Sequence, residues 1–104
     1  MVKRLRVAVL EMVIGALHVE VHVPEAQSLK DRRSVLKSLK DQLRGRFNIA
    51  VSELDATEKW QRAAVGIAAV GDTRTSVEGV LRQVVEWLRA APLVHLIRVE
   101  EAYF

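Results

Sequence analysis

A chain of 104 residues, half of them hydrophobic and 28% charged, is long enough to bury one core, too short for two, and too apolar for intrinsic disorder. The formal charge of +3 names no partner by itself, and the absence of cysteine excludes disulfide frameworks, thiolate zinc sites, iron–sulfur clusters and cysteine nucleophiles. Cysteine-free composition fits a reducing compartment, and a cytoplasmic location is the expectation.

At the N-terminus, Lys3, Arg4 and Arg6 precede an apolar stretch over residues 7–17, in the manner of a secretion signal. Glu11 interrupts the stretch, His18, Val19 and Glu20 follow in place of a small-residue cleavage site, and no run reaches the ~18 apolar residues of a membrane span. Residues 1–11 are therefore expected to be a strand-like extension packed on the domain, or a lead-in to an alternative start at Met12. Over residues 13–23, Leu17, Val19, Val21 and Val23 alternate with Ala16, His18, Glu20 and His22, which is the period of a half-buried strand ending at Pro24. Ser28 is a good helix cap with Asp31 three residues on, and Leu29, Leu36, Leu39 and Leu43 form an apolar stripe that Gly45 is expected to stop. Phe47, Ile49 and Val51 mark a second strand leading into a polar connection over residues 55–59, and a third strand covers residues 61–70. Gly71, Asp72 and Thr73 open a second helix with Val77, Val80, Leu81, Val84 and Leu88 facing inward, Pro92 closes it, and residues 94–100 are the last strand.

The order βαββαβ with right-handed crossovers predicts a single α+β domain over residues 1–104: a ferredoxin-like sandwich, a four-stranded antiparallel sheet with two helices on one face. The first and third strands are expected at the centre, and the second sheet face is left open.

The stretches Val19-Glu20-Val21-His22-Val23-Pro24, Ser28-Leu29-Lys30-Asp31-Arg32-Arg33, Arg46-Phe47-Asn48-Ile49-Ala50-Val51-Ser52-Glu53 and Trp60-Gln61-Arg62-Ala63 resemble the small bacterial DUF503 family, also called YlxP-like proteins. The resemblance runs from about residue 12 to residue 101 and leaves residues 1–11 outside the pattern, and Asp31 and Arg32 are conservative departures from it. It implies a ferredoxin-like fold and, through gene neighbourhood with transcription and translation factors, association with RNA or the ribosome. It implies no established activity.

Charge is concentrated in the first helix. Residues 28–46 hold seven basic residues against Asp31 and Asp41, a net +5. Lys30, Arg33, Lys37, Lys40 and Arg44 recur at helical steps, with Arg46 just beyond, and form a row about 20 Å long that suits the phosphates of a nucleic-acid backbone. Ser28 and the free amides of the first turn add a candidate anion site. The competing reading is the solvated side of an amphipathic helix, its long side chains snorkelling over the edge. Cations near a helix N-terminus oppose the macrodipole by about 0.3–1 kcal/mol each, which favours a role for Lys30 and Arg33 other than helix stability.

On the open face, His18, Glu20 and His22 offer a metal-like donor set, but residues i and i+4 of a straight strand stand ~13 Å apart, so both imidazoles cannot reach one ion; no metal or other cofactor is expected. These positions, with Ala64, Gly66 and Ala68 opposite, also lack the aromatic platform on which RNA-recognition motifs stack bases. The small residues suggest close approach by another surface, a second copy packing face to face being the simplest, so a homodimer is expected with His18, Glu20, His22 and Gly66 at the contact. Glu53 and Asp55 near Trp60 and Arg62 are read as a solvated hairpin rather than a polar site. No catalytic residues are expected: Ser28 reads as a cap, and Pro24, Glu25, Ala26 and Gln27 hold neither the glycine-rich cradle nor the arginine of a phosphatase on this topology. The expectation is a non-enzymatic binding protein associated with RNA or the ribosome, the alternative a homodimeric small-ligand or protein-interaction module using the open face.

Overall fold

The computed structural model describes residues 8–54 and 61–104. The described elements are β1 (Val13–His22), α1 (Leu29–Arg46), β2 (Ala50–Glu53), β3 (Arg62–Gly71), α2 (Arg74–Ala90) and β4 (His95–Tyr103). All strand pairs are antiparallel, in the order β2-β3-β1-β4, which is the ferredoxin-like arrangement with the first and third strands at the centre.

Each helix begins where a side-chain oxygen replaces a missing backbone partner. Ser28 Oγ accepts the Asp31 N–H at 3.0 Å, and Thr73 Oγ1 accepts the Ser76 N–H at 3.1 Å. The ends differ from the sequence expectation at Gly45, which lies within α1 in ordinary helical backbone. The helix stops after Arg46, where Phe47 turns extended while its N–H still reaches Leu43 O. The buried stripe of α1 is Arg32, Leu36, Leu39 and Leu43, so Arg32 takes the inward place expected of Leu29, which is half-buried. Its stem packs inward while Nη1 donates to Arg62 O at 2.9 Å, pinning the start of α1 to the start of β3.

Leu17, Val19 and Val21 of β1 and Val65 and Ile67 of β3 meet Leu36, Leu39 and Leu43 of α1 and Val77, Leu81, Val84 and Leu88 of α2 in one core. Burying a side chain of this size contributes about 1.5–3 kcal/mol, which makes this layer the source of the fold's stability. Val80 is only partly buried, on the rim. Gly15 allows the tightest approach, because a Cβ there would lie 2.6 Å from Val77 Cγ1 and 2.9 Å from Tyr103 Cε1. β2 is shorter than expected because its pairing with β3 begins only at Ala50↔Ala68, although Phe47 and Ile49 still pack on the core. β4 runs on to Tyr103 because β1 offers Gly15 as its partner.

Residues 8–10 form a short helical turn rather than a strand, with Leu10 82% exposed, so this part of the extension does not pack as expected. Residues 1–7, Asp55 and Trp60 lie outside the described residues. Among the described residues, no helix is long and apolar enough to cross a membrane.

Candidate nucleic-acid interface and open sheet face

The cation row of α1 divides into two groups. Lys30 and Arg33 are exposed and have no hydrogen-bond or ion-pair partner among the described residues. Lys37 meets Asp41 one turn on at 3.1 Å, a solvent-exposed pair of the kind worth about 0.3–0.5 kcal/mol, so its charge is readily redirected. The other three point to their own fold. Lys40 Nζ lies 2.9 Å from Glu53 Oε1 with both groups largely covered, Arg44 Nη2 donates to Val51 O at 2.7 Å, and the Arg46 guanidinium sits 5.6 Å from the Trp87 ring centre. The row thus starts as a free flank and becomes a seam joining α1 to β2 and α2. At the helix start Ser28 Oγ accepts the Asp31 N–H and the Asp31 carboxylate accepts the Gln27 N–H at 3.1 Å, which sets a negative charge beside the expected anion site.

Register resolves the open face into rows running across the strands. Val70, Ile14 and Phe104 make an apolar row at one end, all three solvent-exposed. Next comes a row of four alanines, Ala50, Ala68, Ala16 and Ala102, one from each strand. Ser52, Gly66, His18 and Glu100 form the third row, and Ala64, Glu20 and Arg98 the fourth, where Leu54 N–H bonds to Ala64 O. Arg62, His22 and His95 close the far end. The alanine and serine rows floor a shallow groove of about 520 Å³.

His18, Glu20 and His22 therefore share a face but stand in three different rows. Among the described residues no group of three or more histidines and carboxylates is placed to hold a metal ion. Sequence reasoning missed His95, whose ring centre lies 5.8 Å from that of His22. The pairing depends on the β1–β4 register and its irregularity at Glu20/Val21, and nothing local in the sequence signals either. The space above Gly66 is taken by Leu54, whose side-chain carbons lie 3.0 Å from where a Gly66 Cβ would stand. The close approach that the small residues implied is thus made here within the chain.

Among the described residues one group has a clearly shifted ionisation. The Tyr103 hydroxyl is held above its ordinary pKa of 10.0 by desolvation, by its hydrogen bond to Glu101 and by the charges of Glu101 and Glu78, with Arg74 acting in the opposite sense. The Arg74 guanidinium lies 4.3 Å from the Tyr103 ring centre.

Comparison with solved structures finds the same overall arrangement in De novo designed protein Foldit4, with a TM-score of 0.54 at 11% identity over 89% of this chain and 96% of that one. A mutant of SnoaB, a cofactor-independent oxygenase from Streptomyces nogalater, aligns at a TM-score of 0.44 and 18% identity over 90% of this chain and 91% of its own. In sequence, the chain is 35% identical over 79 residues to "Uncharacterized protein YlxP" of Bacillus subtilis (strain 168), covering 76% of this chain and 86% of that protein. The model of the family described as "Protein of unknown function (DUF503)" matches residues 14–101, which spans every strand and helix named above apart from the outer ends of β1 and β4, and the chain belongs to that family.

Proposed function

We propose that this protein binds RNA, free or within the ribosome, without catalysing a reaction, and that phosphates are held along the outer flank of α1 by Lys30, Arg33 and Lys37. The observation that carries the reading is the pair Lys30 and Arg33, exposed near the positive end of a helix dipole with no partner among the described residues. Cations so placed cost the helix stability and are available to an external anion. Lys40, Arg44 and Arg46 contribute positive potential, although their side chains are committed to the fold. The central strands present His18, Glu20, Gly66 and alanines rather than phenylalanine, tyrosine or tryptophan, so recognition rests on the backbone of the RNA with little sequence preference.

Fluorescence anisotropy of a labelled structured RNA across a salt series tests this. Three phosphate contacts correspond to a slope of log K against log salt of about −2 to −3, and Lys30→Glu with Arg33→Glu should remove most of it. Absence of binding at low salt, or an unchanged slope in the double variant, overturns the reading. A second reading is favoured by the groove on the open face: its alanine floor and the exposed Val70, Ile14 and Phe104 suit an apolar ligand or protein segment in a homodimeric module, with His18, Glu20 and His22 alongside. Binding there would be nearly insensitive to salt and abolished by Ala68→Arg.

A further inference from the structure

β4 is an edge strand of nine residues with neither proline nor lysine among them, two of the devices by which exposed edges avoid pairing. Ile14 and Phe104 exchange both backbone hydrogen bonds, at 3.0 and 2.8 Å. By antiparallel alternation Ala102, Glu100 and Arg98 also bond inward to β1, and Val99, Glu101 and Tyr103 direct their N–H and C=O groups away from the sheet. The irregularity at Glu20/Val21 leaves Ile97 as the extra residue of β4, so residues from Arg98 onward are regular, and a pairing centred on Val99 keeps residues 98–100 of both copies clear of it. On the helix side the same strand is incompletely covered. A groove of about 410 Å³ separates α2 from β4, where half-buried Val85 and Val99 lie with Arg82, Arg89 and Glu101 around them.

We propose that β4 is the interface of a two-fold homodimer, pairing antiparallel with β4 of a second copy in a register centred on Val99. Charge complementarity selects both the occupant and the register. Centring the axis on Arg98, Glu100 or Glu101 sets like charges directly opposite each other. Centring it on Val99 sets Arg98 against the partner's Glu100 and Glu100 against the partner's Arg98, both on the open face. The Arg98–Glu100 ion pair within each chain then becomes half of a four-charge cluster of alternating sign. On the opposite face Val99 meets the partner's Val99 beside the groove that α2 leaves uncovered, and the sheet becomes eight-stranded. This dimer differs from a face-to-face one in leaving the alanine rows free, and it is independent of the RNA reading.

Light scattering coupled to size exclusion, over a wide range of chain concentrations, should show a species of twice the 11.7 kDa chain mass. Glu100→Arg should weaken the dimer at least tenfold, and the exchanged pair Arg98→Glu with Glu100→Arg should restore it, both with parental circular dichroism. Ala68→Arg, at the middle of the open face, should leave the mass unchanged. A parent that stays monomeric throughout overturns the proposal. So does a dimer insensitive to Glu100→Arg, a charge exchange that fails to restore association, or dissociation by Ala68→Arg.

Discussion

Gly15→Ala should destabilise the protein more than any other change of one methyl group at its glycines. The added Cβ would lie 2.6 Å from Val77 Cγ1, 2.7 Å from Leu81 Cδ1 and 2.9 Å from Tyr103 Cε1. Carbon atoms pack at about 3.5–4.0 Å, so α2 must lift from β1 by about 1 Å or its side chains must leave their rotamers. Val77 is β-branched and has essentially one χ1 well in a helix, which leaves it no cheap retreat. Overpacking of this kind costs about 1–3 kcal/mol, and with contacts on three sides the upper half applies, a fall in Tm of roughly 10 °C for a domain of this size. Urea unfolding followed by circular dichroism should show a lower midpoint at unchanged slope. Gly79→Ala supplies the opposite sign: nothing lies within 4 Å of a Cβ there, and removing a glycine from the interior of α2 should stabilise by about 0.5–1 kcal/mol. A neutral Gly15→Ala, or a destabilising Gly79→Ala, would refute the account of how α2 seats on the sheet.

Gly66→Ala should change stability by less than about 0.5 kcal/mol, because the exposed end of Leu54 can swing aside; the methyl resonances of Leu54 should move, and a large loss of stability would show that Leu54 is fixed. The single tyrosine makes its titration readable at 295 nm, and the Tyr103 midpoint should lie above 10.0 and fall towards it in Glu101→Gln. Because the folded pKa is the higher one, Tyr103 contributes its stability below pH 10 and loses it as pH rises through the folded value, so unfolding midpoints should decline in that alkaline window. Arg44→Ala should cost about 1 kcal/mol by removing the charged donor from Val51 O, without altering the salt slope of RNA binding; a reduced slope would place Arg44 among the phosphate contacts.

Local signals identified the elements. The alternation of Leu17, Val19 and Val21, the caps Ser28 and Thr73, and the inward residues of both helices were legible because each depends on neighbours a few positions away. The element order then carried the sheet topology through the handedness rule. The candidate site was legible only as a charge count. Helical spacing puts Lys40 and Arg44 in one row with Lys30 and Arg33, but whether a cation is free depends on what the next strand brings beside it, here Glu53 and Val51 O. Arg32 shows the same limit in reverse, since the 4-3-4 spacing from 32 to 43 marks it as inward although its charge argues otherwise. His95 joined His22 through a strand pairing that crosses most of the chain.

The seam between α1 and β2 has a dynamic consequence. β2 is a four-residue edge strand with one buried side chain, Val51, and it is fastened to the helix layer by the Lys40–Glu53 pair and the Arg44 bond. Central β1, with its three consecutive inward residues fully covered, is held by apolar burial that salt does not weaken. The molecule therefore has one part whose local opening is set by ionic strength and another whose opening requires global unfolding. Amide hydrogens of β2 should exchange first and faster as salt rises, while those of β1 keep the exchange rate of the whole domain, so that the solution composition tunes one edge of the sheet without touching its centre.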